Sequence, residues 1–136
     1  MSPILLDTHV AVWGADGKLT PRVANVIETA AGRSELLLSP ISAWEIGTLV
    51  KKRRLLLTMP TSDFIRSLFG RPGVVLAAFT PEIAAAATTL PGAFHADPVD
   101  RILIATAAAY GAQLVTRDKE IHRYAKATQH LNCLMC

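Results

Sequence analysis

The sequence predicts an α/β fold built around a parallel sheet, and two patterns carry that expectation. Short apolar runs alternate along the chain with longer stretches of helical spacing, which is how successive βαβ units read. Helix starts and stops fall where such units need them. Five runs are candidate strands: residues 4–6, 36–38, 74–76, 113–115 and a last one at 131–135.

Taken in chain order, Ile4-Leu5-Leu6 makes the first strand and Asp7 closes it, with a helix beginning at Thr8. A second helix covers 21–31 and starts on Pro21. The helix over 40–53 has Ser39 as N-cap and Pro40 in the first position, where an N–H would go unpaired anyway. Residues 61–69, 81–88, 99–110 and 119–126 complete the helical set, with Gly70, Gly92 and Gly111 as stops or turn residues. In the 40–53 helix, Ile41, Trp44 and Leu49 share a stripe suited to the core. No repeat, low-complexity tract or linker interrupts the 136 residues, so a single domain over 1–136 is expected.

Hydrophobic residues make up 51% of the chain against 18% charged, which is a globular balance with apolar surface left over for a partner. A formal charge of +3, with 14 Lys and Arg, permits nucleic-acid binding without requiring it. The start carries no basic leader, and its apolar run is too short for a signal peptide. The longest candidate span, 102–115, is interrupted by Thr106, Tyr110, Gly111 and Gln113 and falls short of the ~20 residues a bilayer needs. Cytoplasm is the expected location. Cys133 and Cys136 form a lone C-x-x-C with no second pair or nearby His, a poor zinc site outside any redox context, so both are read as free thiols.

Four acidic residues, Asp7, Glu45, Asp100 and Asp118, stand at four separate breaks beside apolar runs or helix starts. Carboxylates so placed suit a metal-dependent nuclease, because hard divalent cations take oxygen ligands and a metal-activated water cleaves phosphodiesters. Each also has a plainer role. Asp7 emerges at a strand's C-terminal end, where open parallel sheets put their ligand sites, yet it can simply cap the helix at Thr8. Glu45 sits in the second turn of its helix, where an exposed Glu is ordinary. Asp97 before Pro98 is a natural N-cap, and Asp100 at N3 is favoured by the helix dipole, which also keeps it ionised for a cation. Asp118, after Thr116-Arg117, repeats the strand-then-Asp arrangement of Asp7 and can cap the following helix. If the first and fourth strands are neighbours at the switch point, Asp7 and Asp118 meet at one crevice, within reach of Asp100. His95, just upstream, is read as a loop residue.

The segments Leu5-Leu6-Asp7-Thr8-His9, Ser42-Ala43-Trp44-Glu45-Ile46, Asp97-Pro98-Val99-Asp100-Arg101 and Thr116-Arg117-Asp118 together resemble the successive motifs of PIN-domain ribonucleases. More narrowly, they resemble VapC-type toxins of bacterial toxin-antitoxin pairs, in order and in register from residue 4 to about 125. The resemblance implies a three-layer α/β/α sandwich whose five-stranded parallel sheet has the order 3-2-1-4-5. It implies a Mg²⁺ or Mn²⁺ site made by Asp7, Glu45, Asp100 and Asp118, with Asp97 and Thr116 in support. It further implies endonucleolytic cleavage of RNA (tRNA, rRNA or mRNA), a small cognate antitoxin of the VapB type, and a homodimer.

In that reading Asp7 and Asp100 hold the metal, while Glu45 and Asp118 complete or orient the site. Candidate RNA contacts are Arg101, Arg117 and Lys119, extended by Arg123 and Lys126; the run Lys51-Lys52-Arg53-Arg54 is either a second basic surface or a solvated helix end. An antitoxin tail would cover apolar residues around Trp13, Trp44, Leu49 or Leu56. Two alternatives stay open, beside a third that the residues disfavour. A haloacid-dehalogenase-like phosphotransferase needs a second Asp two residues after the first, where this chain has His9. A non-catalytic RNA- or protein-binding module would tolerate loss of the carboxylates. A DNA-directed nuclease of the same superfamily shares the site chemistry.

Overall fold

The computed structural model describes residues 2–92, 94 and 97–136. Among these residues the strands β1 (Ile4–Leu6), β2 (Leu36–Leu38), β3 (Val74–Leu76), β4 (Gln113–Thr116) and β5 (Asn132–Met135) form one sheet in the order β3-β2-β1-β4-β5. Every neighbouring pair runs parallel. Around the sheet lie α1 (Thr8–Ala15), α2 (Pro21–Gly32), α3 (Pro40–Lys51), α4 (Thr61–Phe69), α5 (Pro81–Thr88), α6 (Pro98–Tyr110) and α7 (Lys119–Thr128). Strand order and the layered α/β/α arrangement agree with the sequence expectation.

The helix starts follow from local chemistry. Thr20, Ser39, Thr80 and Asp97 cap α2, α3, α5 and α6 through their side-chain oxygens, and in each case a proline opens the helix behind the cap. Helix α3 stops at Lys51, two residues earlier than its pattern suggests. The N–H groups of Lys52, Arg53 and Arg54 bond back to the carbonyls of Thr48, Val50 and Leu49, and Arg53 turns to φ 58°, so the basic run forms an exposed turn.

Side chains alternate across the strands and build two cores. Leu5, Leu37 and Leu114 face α5, α6 and α7 together with Ile83, Leu103 and Ile121. Their neighbours Ile4, Leu6, Leu36, Leu38 and Val115 face α1 and α2, meeting Val10, Val23 and Ile27. Helix α3 packs through Ile46, which is fully buried against Val12 of α1 and Phe64 of α4.

Trp44 departs from the expected stripe: it is 61% exposed. The inward face of α3 instead carries Ser42 and Ile46, because the buried Thr8 hydroxyl donates to Ser42 Oγ at 2.9 Å and fixes the rotation of the helix. That turns Trp44, two residues on from Ser42, outward. No helix among the described residues is long and apolar enough to cross a membrane.

Gly73 sets the edge of the sheet. Its φ is +88°, and a Cβ there would lie 2.1 Å from the Ala31 carbonyl oxygen at the end of α2. The backbone of the turn into β3 therefore presses on α2, which only glycine allows. Gly73→Ala is expected to cost at least about 2 kcal/mol through strain and clash. Urea unfolding checks this; an unchanged midpoint and slope would contradict it.

Candidate active site

Parallel pairing of β1 with β4 matches Leu6 to Val115, so the residues just beyond, Asp7 and Thr116, emerge side by side at the strands' C-terminal ends. This is the switch point of the sheet, where β1 leads away to β2 on one side and has β4 on the other. Thr116 Oγ1 donates to Asp7 Oδ2 at 2.6 Å and accepts the Asp118 N–H at 3.1 Å, joining the two acids through one buried hydroxyl. Asp7 Oδ1 accepts the Thr8 N–H at 2.7 Å.

The other acids arrive on helix starts. Asp118 caps α7, its Oδ1 taking the N–H groups of Glu120 and Ile121 at 2.8 and 3.3 Å. Asp97 caps α6, accepting from Val99 N at 3.0 Å and Asp100 N at 3.5 Å, and so presents Asp100 in the first turn. Glu45 projects from the second turn of α3, whose rotation the Thr8–Ser42 hydrogen bond sets. Asp7, Glu45, Asp97, Asp100 and Asp118 line a single pocket of about 420 Å³, joined among the described residues by His9, Trp13 and Arg117. A cavity of about 640 Å³ elsewhere, bordered by Glu28, Phe64 and Arg71, has no comparable acid cluster.

Burial and the crowding of like charges both show in the acids. Burial first, and then the charges of Asp97, Asp7, Asp118 and Glu45, push the Asp100 carboxyl up to about 8. Asp7 is raised by burial, against the opposing hydrogen bonds from Thr116 and Thr8. Glu45 is likewise raised, by burial first. Among the described residues no three of these groups are close enough to make a ready-formed metal cage. The donor chemistry nevertheless suits a hard dication, since the acids supply only oxygen and carry charge that a cation would neutralise.

The fold has counterparts among known proteins. The family model for the PIN domain matches residues 4–127, from the first residue of β1 to the last turn of α7. The chain belongs to the PIN-domain family. Within that family it is of the VapC type, being 35% identical over 128 residues to Ribonuclease VapC22 of Mycobacterium tuberculosis (strain ATCC 25618 / H37Rv), a match covering 91% of this chain and 95% of the relative. Two solved structures share the fold. VapBC2 from Rickettsia felis, bound to a DNA fragment from its promoter, superposes with a TM-score of 0.71 at 17% identity, covering 97% of both chains. FitAcB from Neisseria gonorrhoeae does so with a TM-score of 0.64 at 20% identity, covering 96% of each.

Arg101 does not line the pocket: its Nε donates to the Ala87 carbonyl at 2.8 Å and Nη1 to the Phe94 carbonyl at 3.5 Å, so its charge is spent holding the loop before α6. Lys119 is exposed at the start of α7, and Arg123 pairs with Glu120. His95 lies outside the described residues. Cys133 and Cys136 are free thiols, and burial, followed by the charge of Asp7, pushes Cys133 up to about 12. Sequence reasoning missed the roles of Thr8 and Ser42 in aiming α3, and it missed His9 and Trp13 as pocket walls. Only the Ser42-x-x-Glu45 spacing hinted at the first, and that pattern reads as a capping box.

Between the ordinary carboxyl value of 3.8 and about 8, folded protein keeps on Asp100 a proton that the unfolded chain has released. Stability of the metal-free protein therefore falls as pH rises through that window. Asp100→Asn removes this penalty, so the variant is expected to melt several degrees above the parent at pH 9, with the two converging near pH 4. Thermal unfolding in EDTA across that range decides it, and a variant melting lower at pH 9 would refute the assignment.

Proposed function

We propose that this PIN domain is a metal-dependent endoribonuclease, the toxin member of a toxin-antitoxin pair. The observation that carries the reading is the meeting of Asp7, Glu45, Asp100 and Asp118, from four distant stretches of sequence, in one pocket at the switch point. The 35% identity to a ribonuclease over nearly the whole chain supports the same activity.

In this reading Asp7 and Asp100 hold Mg²⁺ or Mn²⁺, and Glu45 and Asp118 complete or orient the site. The bound ion supplies charge neutralisation at the phosphate and lowers the pKa of a water. The Thr116 hydroxyl fixes the Asp7 carboxylate in rotation, and Asp97 positions Asp100 by capping α6. Glu45, lifted by burial, is suited to receive the proton of the attacking water, whose oxygen forms the new bond to phosphorus as the bond to the leaving ribose oxygen breaks. RNA lies along Arg117 and Lys119; Arg101, committed to backbone carbonyls, drops out of the proposed contacts.

The proposed partner is a small VapB-like antitoxin, and the proposed state a homodimer in the cytoplasm. The solved neighbours include VapBC assemblies, which supports the first. So does an apolar groove of about 480 Å³ beside the acids, which includes Ile41, Trp44, Leu49 and Ile102 and borders Glu45 itself.

Asp7→Ala and Asp100→Ala are each expected to lower RNA cleavage by at least about 100-fold, with folding verified by circular dichroism. EDTA should abolish cleavage in the parent, and Mg²⁺ or Mn²⁺ should restore it. Full activity of either variant, or cleavage undiminished in excess chelator, would defeat the metal model.

A further inference from the structure

One cation sits on the rim of the acidic pocket without collapsing into it. Arg117 shares the pocket wall with five carboxylates, yet among the described residues it forms an ion pair with none of them. Its guanidinium carbon lies 4.1 Å from the centre of the Trp13 ring. Nε donates to the Cys136 carbonyl at 3.3 Å and Nη2 approaches Cys136 Sγ at 3.7 Å, while Nη1 makes no hydrogen bond among the described residues. The His9 ring also stands against Trp13, at 5.7 Å between centroids and tilted by 42°. Packing against Leu6, Val10 and their neighbours seats the indole on α1.

A long flexible cation next to clustered acids would ordinarily fold onto one of them, and a site so neutralised binds a dication poorly. An aromatic face gives a guanidinium an attractive resting place that consumes none of its N–H donors. We propose that Trp13 is a positioning residue: it holds Arg117 off the carboxylates and keeps its guanidinium at the rim, with Nη1 open to a phosphate of the RNA. The inference rests on the nuclease reading for the identity of the ligand, but not for the coupling of the two side chains. Trp13 then serves the acids as well as the substrate, since the ring keeps them available to metal.

The test pairs two measurements on the full chain. Trp13→Leu keeps apolar packing and removes the π face, Trp13→Phe restores a face, and Arg117→Ala removes the cation. Binding of a fluorescein-labelled single-stranded RNA, with Ca²⁺ replacing Mg²⁺ to suppress cleavage, is expected to weaken about 5- to 10-fold in Trp13→Leu and in Arg117→Ala. The salt slope should fall by about 0.7 in each, as for one lost phosphate contact on a single strand. The double variant should be no worse than either single one, and Trp13→Phe should stay close to the parent. Mn²⁺ binding by calorimetry should weaken in Trp13→Leu and recover when Arg117→Ala is added. Additive losses of RNA affinity, or a parental salt slope in Trp13→Leu, would overturn the inference, as would unchanged Mn²⁺ affinity in that variant. A parent that cleaves no RNA sinks the nuclease reading instead, and the Mn²⁺ series still decides whether Trp13 restrains Arg117.

Discussion

The pairing of β1 with β4 is the constraint on which the acidic pocket depends. Parallel register alone brings Asp7 and Thr116 to adjacent positions, although 109 residues separate them in sequence. The 2.6 Å hydrogen bond between them then converts a backbone alignment into a side-chain alignment. Because the same hydroxyl accepts the Asp118 N–H, the start of α7 is tied to the end of β1. Apolar burial of Leu5, Leu114 and Val115 maintains the pairing, so the pocket draws its geometry from a core that carries no chemistry of its own.

Capping and acidity are inseparable here. Asp97 and Asp118 satisfy helix N–H groups that would otherwise lack partners, and by doing so they bring negative charge to positive helix ends. The fold thus assembles a like-charge cluster from residues that each stabilise a local structure. Asp100 bears the cost, its carboxyl raised first by burial and then by the charges of its acidic neighbours. Glu45 stands apart from the helix starts, in the second turn of α3, and is aimed by the helix-to-helix contact of Thr8 with Ser42.

Much of this was legible in the sequence because it was local. Apolar runs, N-caps and prolines at first helical positions mark the elements to within a residue or two, and the strand order followed from a resemblance in the motifs. The four acids stood out for the same reason, each at a break between elements. What sequence could not show depended on rotation and reach. Trp44 looks like a core residue until Thr8 fixes the turn of α3, and Arg101 looks like a free cation until the carbonyls of Ala87 and Phe94 claim it. The stacking of Arg117 on Trp13 joins residues 104 positions apart in numbering through tertiary packing alone, with no periodicity to announce it.

The direction of the hydrogen bonds around Asp7 has its own consequence. Thr116 spends its lone pair on the Asp118 N–H, which leaves its hydrogen to give to Oδ2, while Oδ1 faces a backbone donor that can act in no other sense. Both oxygens are thus addressed by donors, and a proton arriving on Asp7 must take one of the two lone pairs that these donors leave open. A metal ion would need one of those same lone pairs. Proton and cation would therefore compete for the lone pairs that the protein's hydroxyl and amide leave open, burial favouring the proton and the two hydrogen bonds favouring the charged carboxylate.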